Sequence, residues 1–268
     1  YSQGVTRQTY HDAERKHLKE VYQVKDNVSN ILHGRYISYF LNGKIESKGQ
    51  FENNETTGVW EFYYETGNLK MRGILLKNAN FGLWEYFYEN GQKSMEGIIN
   101  GRNREGEWKT YYENSQLKEI GTYRQSNRAG LWKMYYEDGA LKAEINYTDD
   151  VGHVTEYHHS GKVMGVGQRH GIRNAGHWQY FGEDGSMQSE GEYVNGKKQG
   201  ERKYYHASGK LAAKGNFEND ESMGTWEYYF EDGKLEGTCD YQRGKGTYYG
   251  YFPNGNLQTK GTLEDDLK

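Results

Sequence analysis

The chain has little of what usually holds a domain together. One cysteine, Cys239, in 268 residues excludes an internal disulfide framework and a cysteine-built zinc site. It leaves the redox compartment undecided. One proline stands against 36 glycines, and glycine at that density without a collagen triplet marks repeated turns. Hydrophobic residues are only 34%, and the mean hydropathy is −1.11, values that alone would suggest disorder. No apolar run approaches the ~20 residues of a membrane-spanning helix. Basic and acidic residues, 34 and 38, are mixed along the chain to a net charge of −4. With no basic face, nucleic acid is excluded as the expected partner.

What is present is aromatic: 26 Tyr, 9 Phe and 6 Trp, or 15% of the chain. Hydropathy scales count Tyr as polar, but its ring buries well while the hydroxyl stays wet. The chain is therefore expected to fold around rings and glycine in place of a thick aliphatic core.

Self-comparison reveals the organisation. Gly34, Gly58, Gly82, Gly106 and Gly130 recur at one constant spacing; Gly152, Gly176, Gly200 and Gly224 resume it after a shorter unit, and Gly246 follows another. The ten units share G-x-W-x-x-Y-Y-x-x-G-x-L-x-x-x-G-x-Y, as in GEWKTYYENSQLKEIGTY from Gly106 to Tyr123. All six tryptophans (Trp60, Trp84, Trp108, Trp132, Trp178 and Trp226) fill the third position, which assigns them to the repeat core.

Each unit reads as a β-hairpin. Asn90-Gly91, Asp138-Gly139, Asp184-Gly185, Asp232-Gly233 and Asn254-Gly255 sit between runs rich in aromatic and β-branched residues, the signature of type I′ turns. A two-residue turn sets Trp60, Trp84 and Trp108 opposite Gly73, Gly97 and Gly121, and Trp132 opposite Ile145. Each ring would then cover a bare cross-strand glycine. The second Tyr of the pair would face the Leu, as Tyr64 to Leu69 and Tyr112 to Leu117. A three-residue turn with a glycine bulge would shift this register and swap some faces.

The expected fold is all-β: an elongated single-sheet solenoid of about ten antiparallel hairpins, roughly twenty strands at ~4.8 Å each. Residues 1–33 form an N-terminal segment, with Leu18–Val24 as a half-repeat cap, and 34–268 the repeats. The C-terminal GTLEDDLK carries charges that discourage edge pairing.

The quoted motif resembles the bacterial MORN-repeat variant family, from Gly34 to about Leu263. The resemblance implies extended sheets of stacked hairpins with roles in scaffolding, membrane-associated assembly and protein contacts. Relatives are often labelled toxin–antitoxin system antitoxins. It implies no catalytic residues and no cofactor. Three units depart in having Val154, Arg202 and Tyr248 where Trp is expected; Tyr36 fills that position in the first. The units at Gly130 and Gly224 are two residues short.

Two candidate sites emerge. The first aromatic of each pair recurs as Tyr39, Tyr63, Phe87, Tyr111, Tyr135, Tyr157, Phe181, Tyr205, Tyr229 and Tyr251. Placed opposite the Trp face among charges, this ladder has the composition of a protein interface or glycan-stacking surface. The bland alternative is that the rings only hold neighbouring hairpins together. His153, His158, His159, His170 and His177 crowd the irregular middle, but without a recognised metal-site spacing they are assigned no metal. A short unit followed by one without Trp is expected to bend the array or form a docking notch around 145–176. Cys239 replaces a second-strand glycine and reads as a small filler under Trp226.

No nucleophile–base–orienter set stands outside the repeat, and no glycine run leads into a helix as a phosphate loop would. The expectation is a non-catalytic scaffold that binds one or more proteins, an accessory subunit of a cell-envelope complex. A glycan-binding module and a cytoplasmic antitoxin are the alternatives. Tyr1 in place of Met fits either a removed leader or a trimmed chain. With the resemblance to leader-bearing bacterial relatives, it motivates an expected extracytoplasmic location, periplasmic or at the outer membrane, with the cytoplasm as the alternative.

Overall fold

Stretches rich in Tyr, Trp, Val, Ile and Thr fit a pleated, half-buried surface, and between the turns every such stretch is a strand. The computed structural model describes residues 4–149 and 151–264. Among them are twenty-two strands and no helix, in two compact units, Tyr1–Gly139 and Ala140–Lys268. The first holds β1 (Val5–Tyr10), β2 (Leu18–Val24), β3 (Leu32–Tyr39), β4 (Ile45–Glu52), β5 (Glu55–Tyr63), β6 (Leu69–Leu76), β7 (Ala79–Phe87), β8 (Lys93–Gly101), β9 (Asn103–Tyr111), β10 (Leu117–Arg124) and β11 (Asn127–Tyr135). The second holds β12 (Leu141–Thr148), β13 (Val151–Tyr157), β14 (Val163–His170), β15 (Arg173–Phe181), β16 (Met187–Val194), β17 (Lys197–Tyr205), β18 (Leu211–Glu218), β19 (Glu221–Tyr229), β20 (Leu235–Gln242), β21 (Lys245–Tyr251) and β22 (Leu257–Glu264). Within each unit consecutive strands pair antiparallel.

The strand count exceeds the expected twenty by two. The N-terminal cap is a whole hairpin, because Val5–Tyr10 pairs with Leu18–Val24. The polar composition of VTRQTY hid that strand. The terminal charges Asp265, Asp266 and Lys268 lie outside the described residues.

Two kinds of turn alternate, and the Asn-Gly and Asp-Gly pairs do not form the expected one. After Tyr64, the Gly67 N–H donates to the Tyr64 carbonyl and the Tyr64 N–H to the Asn68 carbonyl, both at 2.8 Å. Only Gly67 is left-handed there, at φ 92°. That is a three-residue turn closed by a glycine bulge, not type I′. The Asn or Asp before the glycine instead accepts an N–H two residues on, as Asn90 Oδ1 does from Gln92 at 2.9 Å. True two-residue turns link one hairpin to the next: Asn53 and Asn54 have φ of 51° and 69°, Lys77 and Asn78 49° and 63°.

The register expected around Trp holds, with Trp60, Trp84 and Trp108 opposite Gly73, Gly97 and Gly121. Nearer the turn a bulge shifts the ladder, so Leu69 faces Tyr63 and Leu117 faces Tyr111. The first aromatic, not Tyr64 or Tyr112, therefore meets the Leu. The three-residue turn slips the register by one and the bulge restores it.

The ring's resting place also differs from the expectation. Trp60 lies over Gly49 and Trp84 over Gly73, each on the preceding strand; a Cβ there would sit 2.2 Å from the indole Cδ2 in both cases. Gly97, Gly121, Gly167 and Gly215 likewise underlie Trp108, Trp132, Trp178 and Trp226. Each tryptophan thus packs on the previous repeat, and all six are at most 5% exposed. Cys239 is opposite Trp226, but the bed of Trp226 is Gly215; the fully buried Cys239 packs in a cluster with Phe217, Trp226 and Tyr241.

The short units follow from the same geometry. Lys48 faces Glu61 while Gln50 faces Thr57, so β5 carries two extra residues around the left-handed Gly58. This bulge is the difference between a full-length unit and a short one. It is absent where β12 meets β13 and β20 meets β21, which pair without a shift. Both junctions also replace the bed glycine, by Ile145 and Cys239, and the tryptophan, by Val154 and Tyr248. Bulge, glycine and tryptophan leave together. The ladders through β12, β13, β14 and β15 stay continuous, which counts against the bend or docking notch expected around 145–176; the irregularity there is a junction that lost its bulge.

Gly73→Ile should destabilise the protein by about 1–3 kcal/mol through overpacking against Trp84. The Gly73→Ile/Trp84→Val pair, which copies Ile145–Val154, should lose less than the sum of the single changes. The difference should be about 0.5 kcal/mol or more in a urea-denaturation cycle.

Candidate functional site

Alternation along each strand separates two faces. On the tryptophan face of the first unit, Phe62 lies between Trp60 and Trp84, with ring centroids 6.1 and 6.4 Å away. Tyr123 contacts both Trp108 and Trp132 edge-on, at 6.0 and 4.9 Å. In the second unit Tyr204, Phe217, Tyr228 and Tyr241 surround Trp226. The rings are committed to one another and to the glycines beneath them.

The second aromatic of the pair has a role that the motif alone did not reveal. Tyr64, Tyr88 and Tyr112 donate their hydroxyls to the main-chain oxygens of Phe87, Tyr111 and Tyr135, one repeat onward, at 2.6–2.8 Å. His158 and His206 do the same with Nε2, to Phe181 and Tyr229. These side chains clamp neighbouring hairpins. The available signal was a sequence separation that never varies between clamp and acceptor, with His able to substitute for Tyr.

The histidines of the middle region are accordingly dispersed. His158 is a clamp, His177 meets Glu190 and Glu192 at 3.3 and 3.0 Å, His153 and His170 sit within β13 and β14, and His159 lies in the following turn. Among the described residues no three His, Cys, Asp or Glu side chains converge as a metal ion would require.

The ladder Tyr39, Tyr63, Phe87, Tyr111, Tyr135, Tyr157, Phe181, Tyr205, Tyr229 and Tyr251 is half-buried at every position. Its hydroxyls are used locally: Tyr63 donates to Glu61, Tyr111 to Glu96, Tyr157 to Glu144 and Tyr205 to Glu190. Burial, reinforced by the Glu190 carboxylate, pushes the Tyr205 hydroxyl up to about 12. Ring faces are occupied too, with Lys48 over Tyr63 at 5.4 Å and Arg72 over Phe87 at 5.8 Å. An ionic row runs beside the rings: Lys48–Glu61 at 2.5 Å, Arg72–Glu85 at 2.6 Å, and Lys93 bridging Glu85 and Glu96 at 2.7 Å.

Next to that row lies an exposed apolar stripe. Val59 pairs with Ile74 and Leu83 with Ile98, and these four side chains are 37–59% exposed. Phe81, opposite Ile74, extends the stripe. A groove of about 360 Å³ lined by Ile37, Lys48, Gln50, Val59 and Glu61 adjoins it. The corresponding pairs of the second unit are polar: His177–Glu192, Glu201–Asn216 and Thr225–Asp240. The stripe was not identified from the sequence, since Val59 and Leu83 sit between glycine and tryptophan and Ile74 and Ile98 just after a glycine, on different strands.

In the eighth repeat Arg202 replaces tryptophan over Gly191. Its guanidinium lies 5.4–5.6 Å from the ring centroids of Tyr180, Tyr193 and Tyr204 and donates to the Ser189 hydroxyl at 3.1 Å. Nε and Nη1 are buried without a hydrogen-bond partner. Arg202→Trp should raise stability by about 1–3 kcal/mol in thermal unfolding, by removing the unpaired buried groups.

The ion-pair row also sets an acid limit. Arg72 and then Lys93 hold the Glu85 carboxyl below its ordinary 4.5. A lowered folded value means that this stability is complete above about pH 4.5 and is lost as pH falls through the lower folded value. Glu85→Gln should flatten that part of the acid-unfolding curve while costing about 1 kcal/mol or less at pH 7, as read by thermal melts from pH 7 to 3.

A family model described as "MORN repeat variant" matches residues 32–53, 56–78, 82–98, 104–125, 128–149, 175–195, 198–219, 224–243 and 245–265. The unmatched stretch between residues 149 and 175 holds Val154 and β13, which pairs with β12 without a shift. No curated protein matches the chain. Similar solved structures bear the titles "Crystal Structure of TcdB2-TccC3-TEV", "Crystal Structure of TcdB2-TccC3-Cdc42" and "Structure of Photorhabdus luminescens Tc holotoxin pore, Mutation TccC3-D651A". Each is 12% identical, with TM-scores of 0.22, 0.19 and 0.18, over 97%, 98% and 97% of this chain. The chain spans 17%, 14% and 19% of their lengths. With repeats matched from residue 32 to 265, the chain belongs to the MORN repeat variant family.

Proposed function

We propose that the chain is a non-catalytic scaffold that binds a protein on its ladder face, as an accessory subunit of a bacterial cell-envelope complex. The observation that carries this reading is the stripe of Val59, Ile74, Leu83 and Ile98, exposed beside an ionic row. Contiguous apolar side chains on a sheet face, rimmed by charges, have the make-up of a protein contact surface. The ladder rings set the rim of that surface through Glu61, Glu96 and their cations. Their faces, already covered by Lys48 and Arg72, favour a protein over a stacked sugar. The envelope location rests on the resemblance to leader-bearing bacterial relatives. Among the described residues no helix is long and apolar enough to cross a membrane.

The test is a tagged pull-down from the source organism after separating cytosol, periplasm and membranes, read by mass spectrometry. Wild type should recover one partner stoichiometrically from an envelope fraction, and the exposed change Val59→Asp/Leu83→Asp should lose it at unchanged thermal stability. Recovery without a partner, or equal recovery by the double variant, would overturn the reading.

A further inference from the structure

The exposed stripe of the first unit runs across the strands and not along one of them. Val59, Ile74, Leu83 and Ile98 hold one place on each of β5, β6, β7 and β8. Phe81 and Leu76, 50% and 46% exposed, widen it toward the turns between hairpins. Neighbouring strands are ~4.8 Å apart, and an α-helix advances ~5.4 Å per turn. A helix laid along the stripe therefore brings a side chain to nearly every strand. An extended segment repeats its same-face side chains only every ~6.6 Å and falls out of step.

The turns on that side are cationic. Lys77, Arg102 and Arg124 lie at the β6–β7, β8–β9 and β10–β11 turns, all exposed, and segments 76–79, 100–103 and 124–127 contain no acidic residue. Among the described residues none of the three makes an ion pair. Arg124 stands two residues beyond Thr122, which holds the place of Ile74 and Ile98 in its repeat, so alternation puts it on the face of the stripe. The carboxylates of β9 are engaged: Glu105 accepts from the Gln125 main-chain N–H at 3.0 Å, and Glu107 pairs with Lys109 at 2.8 Å. On the opposite flank the ionic row is neutralised within itself. At the Val59 end the sign reverses, with Glu52 facing Glu55 across the β4–β5 turn. From β6 onward the charge left for a partner is positive.

We infer, resting on the contact surface proposed for this face, that the stripe receives an amphipathic α-helix of the partner protein. Its apolar side lies on Val59, Ile74, Leu83 and Ile98, and a flank of carboxylates lies over Lys77, Arg102 and Arg124. Apolar anchors along one helix face supply the affinity, as in helix-in-groove recognition. The cations fix which flank of the helix faces the turns, because a basic flank there would meet like charge. An extended segment fits the charge but not the spacing, and a basic helix the spacing but not the charge.

The probes are designed peptides of about 18 residues, about 27 Å long as a helix. Each carries Leu at i, i+4, i+7 and i+11, with either Glu or Lys along one flank; a third is the Glu peptide broken by central prolines. Binding to the full chain is measured by calorimetry and helix content by circular dichroism. The Glu peptide should bind saturably and gain helix, about tenfold tighter or more than the Lys peptide, and the proline peptide should not bind. Lys77→Glu/Arg102→Glu/Arg124→Glu, all at exposed positions, should reverse the preference at unchanged thermal stability. Val59→Asp/Leu83→Asp should abolish binding of both. Equal binding of the Glu and Lys peptides, a preference that charge reversal leaves in place, binding by the proline peptide, or no saturable binding would each overturn the inference. The contact surface itself stands or falls separately, on whether Val59→Asp/Leu83→Asp loses the protein captured in the pull-down. Self-association that Val59→Asp/Leu83→Asp abolishes, without peptide binding, would also overturn the inference and assign the stripe to a second copy of this chain.

Discussion

The contact on which each unit depends is an indole lying flat on a glycine of the strand before it. A side chain at Gly73 would overlap the Trp84 ring, so close approach is available only to glycine. The contact buries the largest side chain of the repeat without a second layer of structure. In six repeats it also joins the hairpin to its predecessor, and stability becomes a sum of neighbour terms. The 34% hydrophobic content, alarming in a globular domain, is sufficient for such an array.

The two-residue bulge at the repeat-opening glycine belongs to the same device. At the β12–β13 and β20–β21 junctions the bed glycine, the tryptophan and the bulge are all missing together, and the ladder runs on without a shift. Arg202 is a different compromise: the bed Gly191 remains, but a cation caged by three tyrosines occupies it.

With one face given to this packing, the other is left for contact. Its rings are half-buried beneath their own glutamates and cations, which accounts for an aromatic at every ladder position without invoking a ligand. The repeats differ instead at the positions beside tryptophan, apolar at Val59 and Leu83 and polar at His177, Glu201 and Thr225. The regular positions build the sheet, and the irregular ones distinguish its surfaces.

The sequence by itself determined the repeat period, the all-strand character and the Trp–Gly register, because period-two patterning and turn glycines are local properties. It also placed β2 at Leu18–Val24. It did not decide which of two glycines lies under each ring, since Gly49 and Gly73 are equivalent in pattern and only the direction of the Trp60 side chain separates them. Nor did it separate the two turn types, because an Asn-Gly pair suits both and the choice rests on a compensating bulge beside the turn, as between Phe62 and Tyr63. Tertiary structure alone decided the Tyr64 clamp and the exposed stripe. Each depends on what the neighbouring strand supplies, and one repeat carries no record of its neighbour's side chains.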